Sequence, residues 1–108
     1  MADYGVNADI QILAFGASNS AEDTRTTTCN HTATKIVNGI LNIFVDITTP
    51  GQTIIEATNM IAVALLTTAP ENTSKSVWWL QGMELLEKAK GDKTTDTEWG
   101  YNYPVIRD

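Results

Sequence analysis

One histidine, one cysteine and a run of threonines are the residues of this 108-residue chain that could carry nucleophilic or metal chemistry. Cys29 and His31 stand two apart. On a helix that spacing turns their side chains about 200° from each other, so they diverge rather than share a ligand. No second Cys or His completes the tetrahedral shell that zinc takes. No metal is expected. Pairing His31 with Ser20, Cys29 or a threonine also fits poorly, because nucleophile–base pairs are usually assembled from distant parts of a chain. The sequence holds no Gly-x-Ser-x-Gly, no phosphate-cradling glycine loop and no dinucleotide fingerprint, and no cofactor is expected. Glu84 and Glu87 fall beside lysines on the exposed side of a predicted helix, as solvated ion pairs do. No catalytic constellation can be assembled, and the reading is that the chain is not an enzyme.

Aromatic residues are the better candidates for function. Trp78 and Trp79 are adjacent, so a helix points them about 100° apart. One can enter the core while Trp79 stays at its edge as a partner anchor; absorption of both at a core boundary fits the periodicity equally well. From Asp92 to Glu98 the chain is a polar tether, followed by WGYNYPVIRD. There Trp99, Tyr101, Tyr103 and Val105 alternate with Gly100, Asn102 and Pro104, the pattern of an extended segment with one sticky edge. A lone strand does not stabilise itself. Trp99, Tyr101, Tyr103, Pro104, Val105 and Ile106 therefore need a surface, either on their own helices or on another subunit.

The elements that must position these residues read as helices. Ala8 to about Phe15 is a short one, capped by Asn7 or Asp9, with Ile10, Leu13 and Ala14 on one face and Gly16 as its stop. A second runs from about Ala21 to Asp46, capped by Ser20. Ala33, Ile36, Val37, Ile40, Phe44 and Ile47 form its apolar stripe. Its first half, DTRTTTCNHTAT, is expected to be solvated or partner-facing, and Gly39 allows close packing or a mild bend. Pro50 to Thr68 forms a third, apolar nearly all round and hence central to the core. The fourth, about Ser74 to Lys90, takes its cap from Asn72, Thr73 or Ser74 and pairs Glu84 with Lys88. Asn30-His31-Thr32 and Asn72-Thr73-Ser74 are chance matches to a glycosylation sequon. The expected fold class is all-α: a small bundle of about four helices over 1–91, with an extended C-terminal arm over 92–108.

Charge and hydropathy narrow the function further. Seven Lys and Arg against thirteen Asp and Glu leave a net charge of −6, which argues against general binding to DNA or anionic membrane. The longest apolar run, Met60–Leu66, is far short of the ~20 residues that span a bilayer. The amino end MADYGVNAD has no basic n-region. The expectation is an intracellularly made, soluble protein.

Three stretches carry a resemblance: TATKIVNGILNIFVD ending at Thr49-Pro50-Gly51, then TIIEATNMIAVALL, then WWLQGMELLEKAKGDK. Over about Thr32 to Lys93 this layout resembles the head–tail connector, or head-completion adaptor, proteins of tailed bacteriophages and related archaeal viruses. The resemblance implies a structural virion protein at the viral neck, made in the host cytoplasm. It would form a homo-oligomeric ring, dodecameric in the family, beneath the portal protein. The ring extends the DNA channel and presents a platform to stopper or tail proteins. Acidic side chains would let DNA pass without specific binding. The long polar first half of helix two departs from that pattern and leaves the channel-facing element open. The alternative is a small helical binding or regulatory module acting as a homo-oligomer. Removing the residues after Lys93 is expected to leave helical circular dichroism intact while abolishing ring docking; a truncated chain that unfolds would assign the arm to its own core.

Overall fold

A computed structural model describes residues 3–91, and over them the chain is all-α. Helix α1 spans Asn7–Phe15, α2 Asp23–Leu41, α3 Gln52–Thr67 and α4 Val77–Gly91. Short 3-10 turns over Ser20–Glu22 and Pro70–Lys75 lead into α2 and α4. No strand occurs among the described residues. The segment expected to be an arm lies outside them.

The third helix is the centre, as its all-round apolar sequence predicts. Ile54, Ala57, Ile61, Ala62, Val63, Ala64 and Leu66 are buried, and α3 touches each of the other three helices. It starts at Gln52 rather than Pro50, with extended Gly51 at the N-cap accepting from the Ile55 N–H. At its other end Thr67 and Thr68 donate to the carbonyls of Val63 and Ala64, and Arg25 of α2 donates to Leu66 O at 3.1 Å. A cation at a helix C-terminus also complements the helix dipole. Helix α4 lies antiparallel to α3. Gly82 sits where a Cβ would come within 2.8 Å of Ile61 Cγ1 and 3.2 Å of Ala57 O, so only glycine permits this approach. Leu86 and Ala89 continue the buried face.

Helix α4 begins later than its sequence pattern suggests. Ser76, not Asn72, Thr73 or Ser74, caps it, its Oγ accepting from the Trp78 N–H at 3.2 Å. The residues before it tighten into the 3-10 turn that Pro70 opens. Glu84 and Lys88 do not form the expected ion pair: among the described residues the pairs are Arg25–Glu22 and Asp3–His31. Two solvated ends on one helix face gain too little from pairing to hold long side chains still.

Helix α2 corrects the sequence reading twice. It stops at Leu41, because Asn42 turns into the left-handed region at φ 58° and the Ile43 N–H reaches back to Asn38 O at 2.9 Å. Asparagine tolerates that conformation, and the buried Ile43 completes a helix-ending motif. Phe44 and Ile47 are therefore not on the helical stripe, and Gly39 faces open space. The second correction concerns the polar first half: one face of it is inside, while Thr24, Arg25, Thr27, Thr28 and Thr32 stay exposed as expected. Thr26, Asn30, Ala33 and Thr34 are buried, continuing the Val37 and Leu41 face without a break in helical spacing.

What covers the Asn30 and Thr34 part of that stripe is the segment before α1, which bends at Tyr4 and Gly5. A non-helical segment packed on helices has no ladder of its own to satisfy its backbone. Side chains do it instead. Thr34 Oγ1 accepts from the Tyr4 N–H at 2.9 Å, Asn30 Oδ1 from Gly5 at 3.0 Å, and Asn59 Oδ1 from Val6 at 2.8 Å. Asn30 Nδ2 returns bonds to Gly5 O and Asn7 Oδ1, both at 2.9 Å. A Cβ on Gly5 would fall 2.6 Å from Asn30 Oδ1 and 2.8 Å from Asn59 Oδ1. Asn7 is thus spent on Asn30 and Thr27, and α1 starts without a side-chain cap.

Replacing Asn30 by alanine strips partners from Gly5 N–H and C=O together. The expected loss is about 2–3 kcal/mol in urea unfolding. Thr32→Ala, on the exposed face of the same helix turn, is expected to change stability by less than about 0.5 kcal/mol.

Candidate functional site

Helix α2 ends in a loop that is buried at two anchors and exposed between them. Ile43 and Ile47 are buried, while Phe44 is 94% and Val45 80% exposed. The loop is braced rather than loose. Tyr4, buried to 2% exposure, places its hydroxyl where it donates to Asn38 Oδ1 at 2.7 Å and accepts from the Ile47 N–H at 2.9 Å. Asn38 Nδ2 in turn donates to Asp46 Oδ1 at 3.0 Å. Burial pushes the Tyr4 hydroxyl pKa above its ordinary value, and the nearby Asp46 charge adds to this; the hydrogen bonds to Ile47 and Asn38 work the other way. A neutral phenol is the form that can bridge both partners. Two large apolar side chains are thus held out in water at the tip of a fixed loop.

A second apolar surface lies on α1. Ile12, Leu13 and Phe15 are exposed, as is Val6 just before the helix. Leu13 was expected to face inward with Ile10 and Ala14; instead Gln11 takes the buried position beside Ile10. Its Nε2 donates to Asp23 Oδ1 at 2.9 Å and Thr26 Oγ1 at 3.1 Å, and its Oε1 accepts from the Asn19 N–H at 2.7 Å. These bonds rotate the helix and tie its C-terminal half to the start of α2. Helix α1 therefore runs antiparallel to α2, with Asn7 near Asn30 and Gln11 near Asp23. Phe15 and the Phe44–Val45 tip lie toward opposite ends of the bundle.

The residues that sequence chemistry singled out do not converge. His31 is paired through Nδ1 with Asp3 Oδ1 at 3.1 Å, helping to fasten the N-terminal segment. Cys29 is half-buried against the core. Among the described residues no three His, Cys, Asp or Glu side chains gather as metal ligands, and no helix is long and apolar enough to cross a membrane. Glu84 lines a shallow groove of about 350 Å³ between α3 and α4 with Glu56, Met60, Gln81, Leu85 and Lys88. The groove is open to solvent and offers no buried acid–base pair.

Trp78 and Trp79 are both half-buried and both pack on the core, at the boundary that their adjacency allows. Trp99, Tyr101, Tyr103, Pro104, Val105 and Ile106 lie outside the described residues. Sequence reasoning missed Phe44 as a surface residue by counting it into the helical stripe. The available signal was Asn42, a residue suited to a left-handed helix end. Compared with models of known families, with curated proteins and with solved structures, the chain shows no match to any of them.

Burial raises the Cys29 thiol pKa, with Arg25 opposing in part. A raised pKa leaves less thiolate at a given pH, and thiolate is the nucleophile. Alkylation by iodoacetamide at pH 8 is expected to be several-fold slower in the folded chain than in urea, as read by mass spectrometry; equal rates would mean that the thiol is open to solvent.

Proposed function

We propose that this chain is a structural subunit that acts by assembly rather than catalysis: a head–tail adaptor that forms a ring beneath the portal at the neck of a tailed virus. The observation that carries this reading is the braced tip. A small monomer gains nothing from holding Phe44 and Val45 in water, and a rigid exposed apolar pair is what a partner can cover at little ordering cost. The α1 surface of Ile12, Leu13 and Phe15 lies toward the other end. Two unlike patches on one copy suit heterologous contacts, in which each subunit offers different faces to its two neighbours and the rotation closes a ring.

The net charge of −6 fits a channel component that repels phosphate, so that DNA passes without being held. Trp79, at the edge of the core, is the anchor assigned to a contact with the portal or a stopper protein. The rival reading, a small binding or regulatory module that self-associates, shares the exposed tip but needs neither a ring nor a portal.

Mass photometry and negative-stain images of the purified chain, alone and with a portal ring, separate these readings. A closed ring that docks on the portal supports the adaptor. A small closed oligomer indifferent to the portal selects the rival, and a monodisperse monomer overturns both. Phe44→Asp is expected to weaken assembly by roughly tenfold or more while stability moves by less than about 0.5 kcal/mol, because the side chain touches little of its own fold.

A further inference from the structure

The bundle fixes where the chain leaves it relative to the tip. Helices α3 and α4 are antiparallel: Gly82 sits against Ala57 and Ile61, and Lys88 shares a groove with Glu56. Gly91, one turn beyond Lys88 at most, therefore ends α4 beside the start of α3. That start is reached directly from the loop carrying Phe44 and Val45. The chain leaves the bundle at the end from which the tip projects.

Seventeen residues follow Gly91, beginning with the polar stretch 92–98. Fully extended, those seven residues reach ~23–25 Å, roughly twice the diameter of a helix with its side chains. Trp99 is thus within reach of an adjacent copy. The sequence from Trp99 to Ile106 gathers a Trp, two Tyr, Val and Ile, with Trp99, Tyr101, Tyr103 and Val105 at every second position. It is apolar where the tip is apolar. It also carries no uncompensated charge to bury: Arg107 and Asp108 come only after Ile106.

We infer that the Phe44–Val45 tip of one copy is the docking site for the Trp99–Ile106 segment of the next copy in the ring. This inference rests on the ring reading above and names the contact that closes it. Donation from copy to copy is head-to-tail: each subunit gives one segment and receives one, so the same contact repeats around a closed ring. Trp79 then stays free for the other components of the neck.

The experiment uses two full-length variants, each checked for wild-type helical circular dichroism. One, Phe44→Asp with Val45→Asp, lacks the tip; the other, Trp99→Ser with Tyr101→Ser and Tyr103→Ser, lacks the aromatic donor. Each alone is expected to lose assembly by roughly tenfold or more in dissociation constant. Mixed, they are expected to form a 1:1 dimer that grows no further, because one intact tip and one intact donor remain. A donor-deficient variant that assembles like wild type, or two deficient variants that stay monomeric when mixed, overturns the inference and leaves the ring reading standing. Wild-type chain that is itself monomeric overturns the ring reading instead. A disulfide between cysteines placed at positions 44 and 99 that forms only within single chains overturns the docking inference, by placing the segment on its own bundle.

Discussion

The fold depends on how one short stretch of non-helical backbone is kept satisfied inside a helical protein. Tyr4, Gly5 and Val6 each bring an N–H against helices, buried at Tyr4 and part-buried at the other two, where no strand is available to accept it. An unpaired buried N–H costs about 1–3 kcal/mol, a sizeable share of the stability of a domain this size. Thr34, Asn30 and Asn59 accept all three from two different helices. The segment therefore acts as a polar seam joining α2 to α3, on the side away from the apolar contact of α3 with α4. Its geometry leaves no room at Gly5 for even a methyl group.

From that seam the surface follows. Because Tyr4 is fixed at its backbone, its ring enters the core and its hydroxyl reaches Asn38 and Ile47, which pins the loop after α2. Because Asn7 is held by Asn30, α1 must start there, and Gln11 locks its rotation against Asp23 and Thr26. The rotation that buries Gln11 is the same one that turns Ile12, Leu13 and Phe15 outward. Neither exposed apolar surface is a frayed end. Each is a consequence of hydrogen bonds made on its inner side.

The parts of this arrangement that sequence could disclose are those held by apolar periodicity. Helix α3, apolar all round, is buried where expected, and Trp78, Gly82, Leu85 and Ala89 do turn α4 toward the core. Gly16 ends α1 at φ 83° as its position suggests. What periodicity hid was a stripe that stays in register while changing chemistry. Thr26, Asn30 and Thr34 recur every four residues and run on into Val37 and Leu41, yet polar residues read as solvent-facing when no partner is in view. Asn30 and Thr34 meet backbone, which looks the same in every sequence, and Thr26 meets the side chain of Gln11. The tip was hidden for the converse reason: Phe44 keeps helical spacing from Ile40, and only one asparagine at position 42 marks that the helix has already ended.

The polar seam also bears on why the tip can remain apolar. Removing a Phe or Val side chain from water is worth about 1.5–3 kcal/mol each, a force that would ordinarily draw Phe44 and Val45 toward the nearest groove. For that the loop would have to shift, carrying Ile43 and Ile47 out of the core and breaking the Ile47–Tyr4–Asn38 bridge. The exchange loses as much apolar burial as it gains and leaves hydrogen bonds unmade. Anchoring the loop at Ile43 and Ile47 leaves the three residues between them on its outer side. The exposed pair is the cost of the internal lock, and it is stable against collapse onto its own chain for the same reason that it is accessible to another.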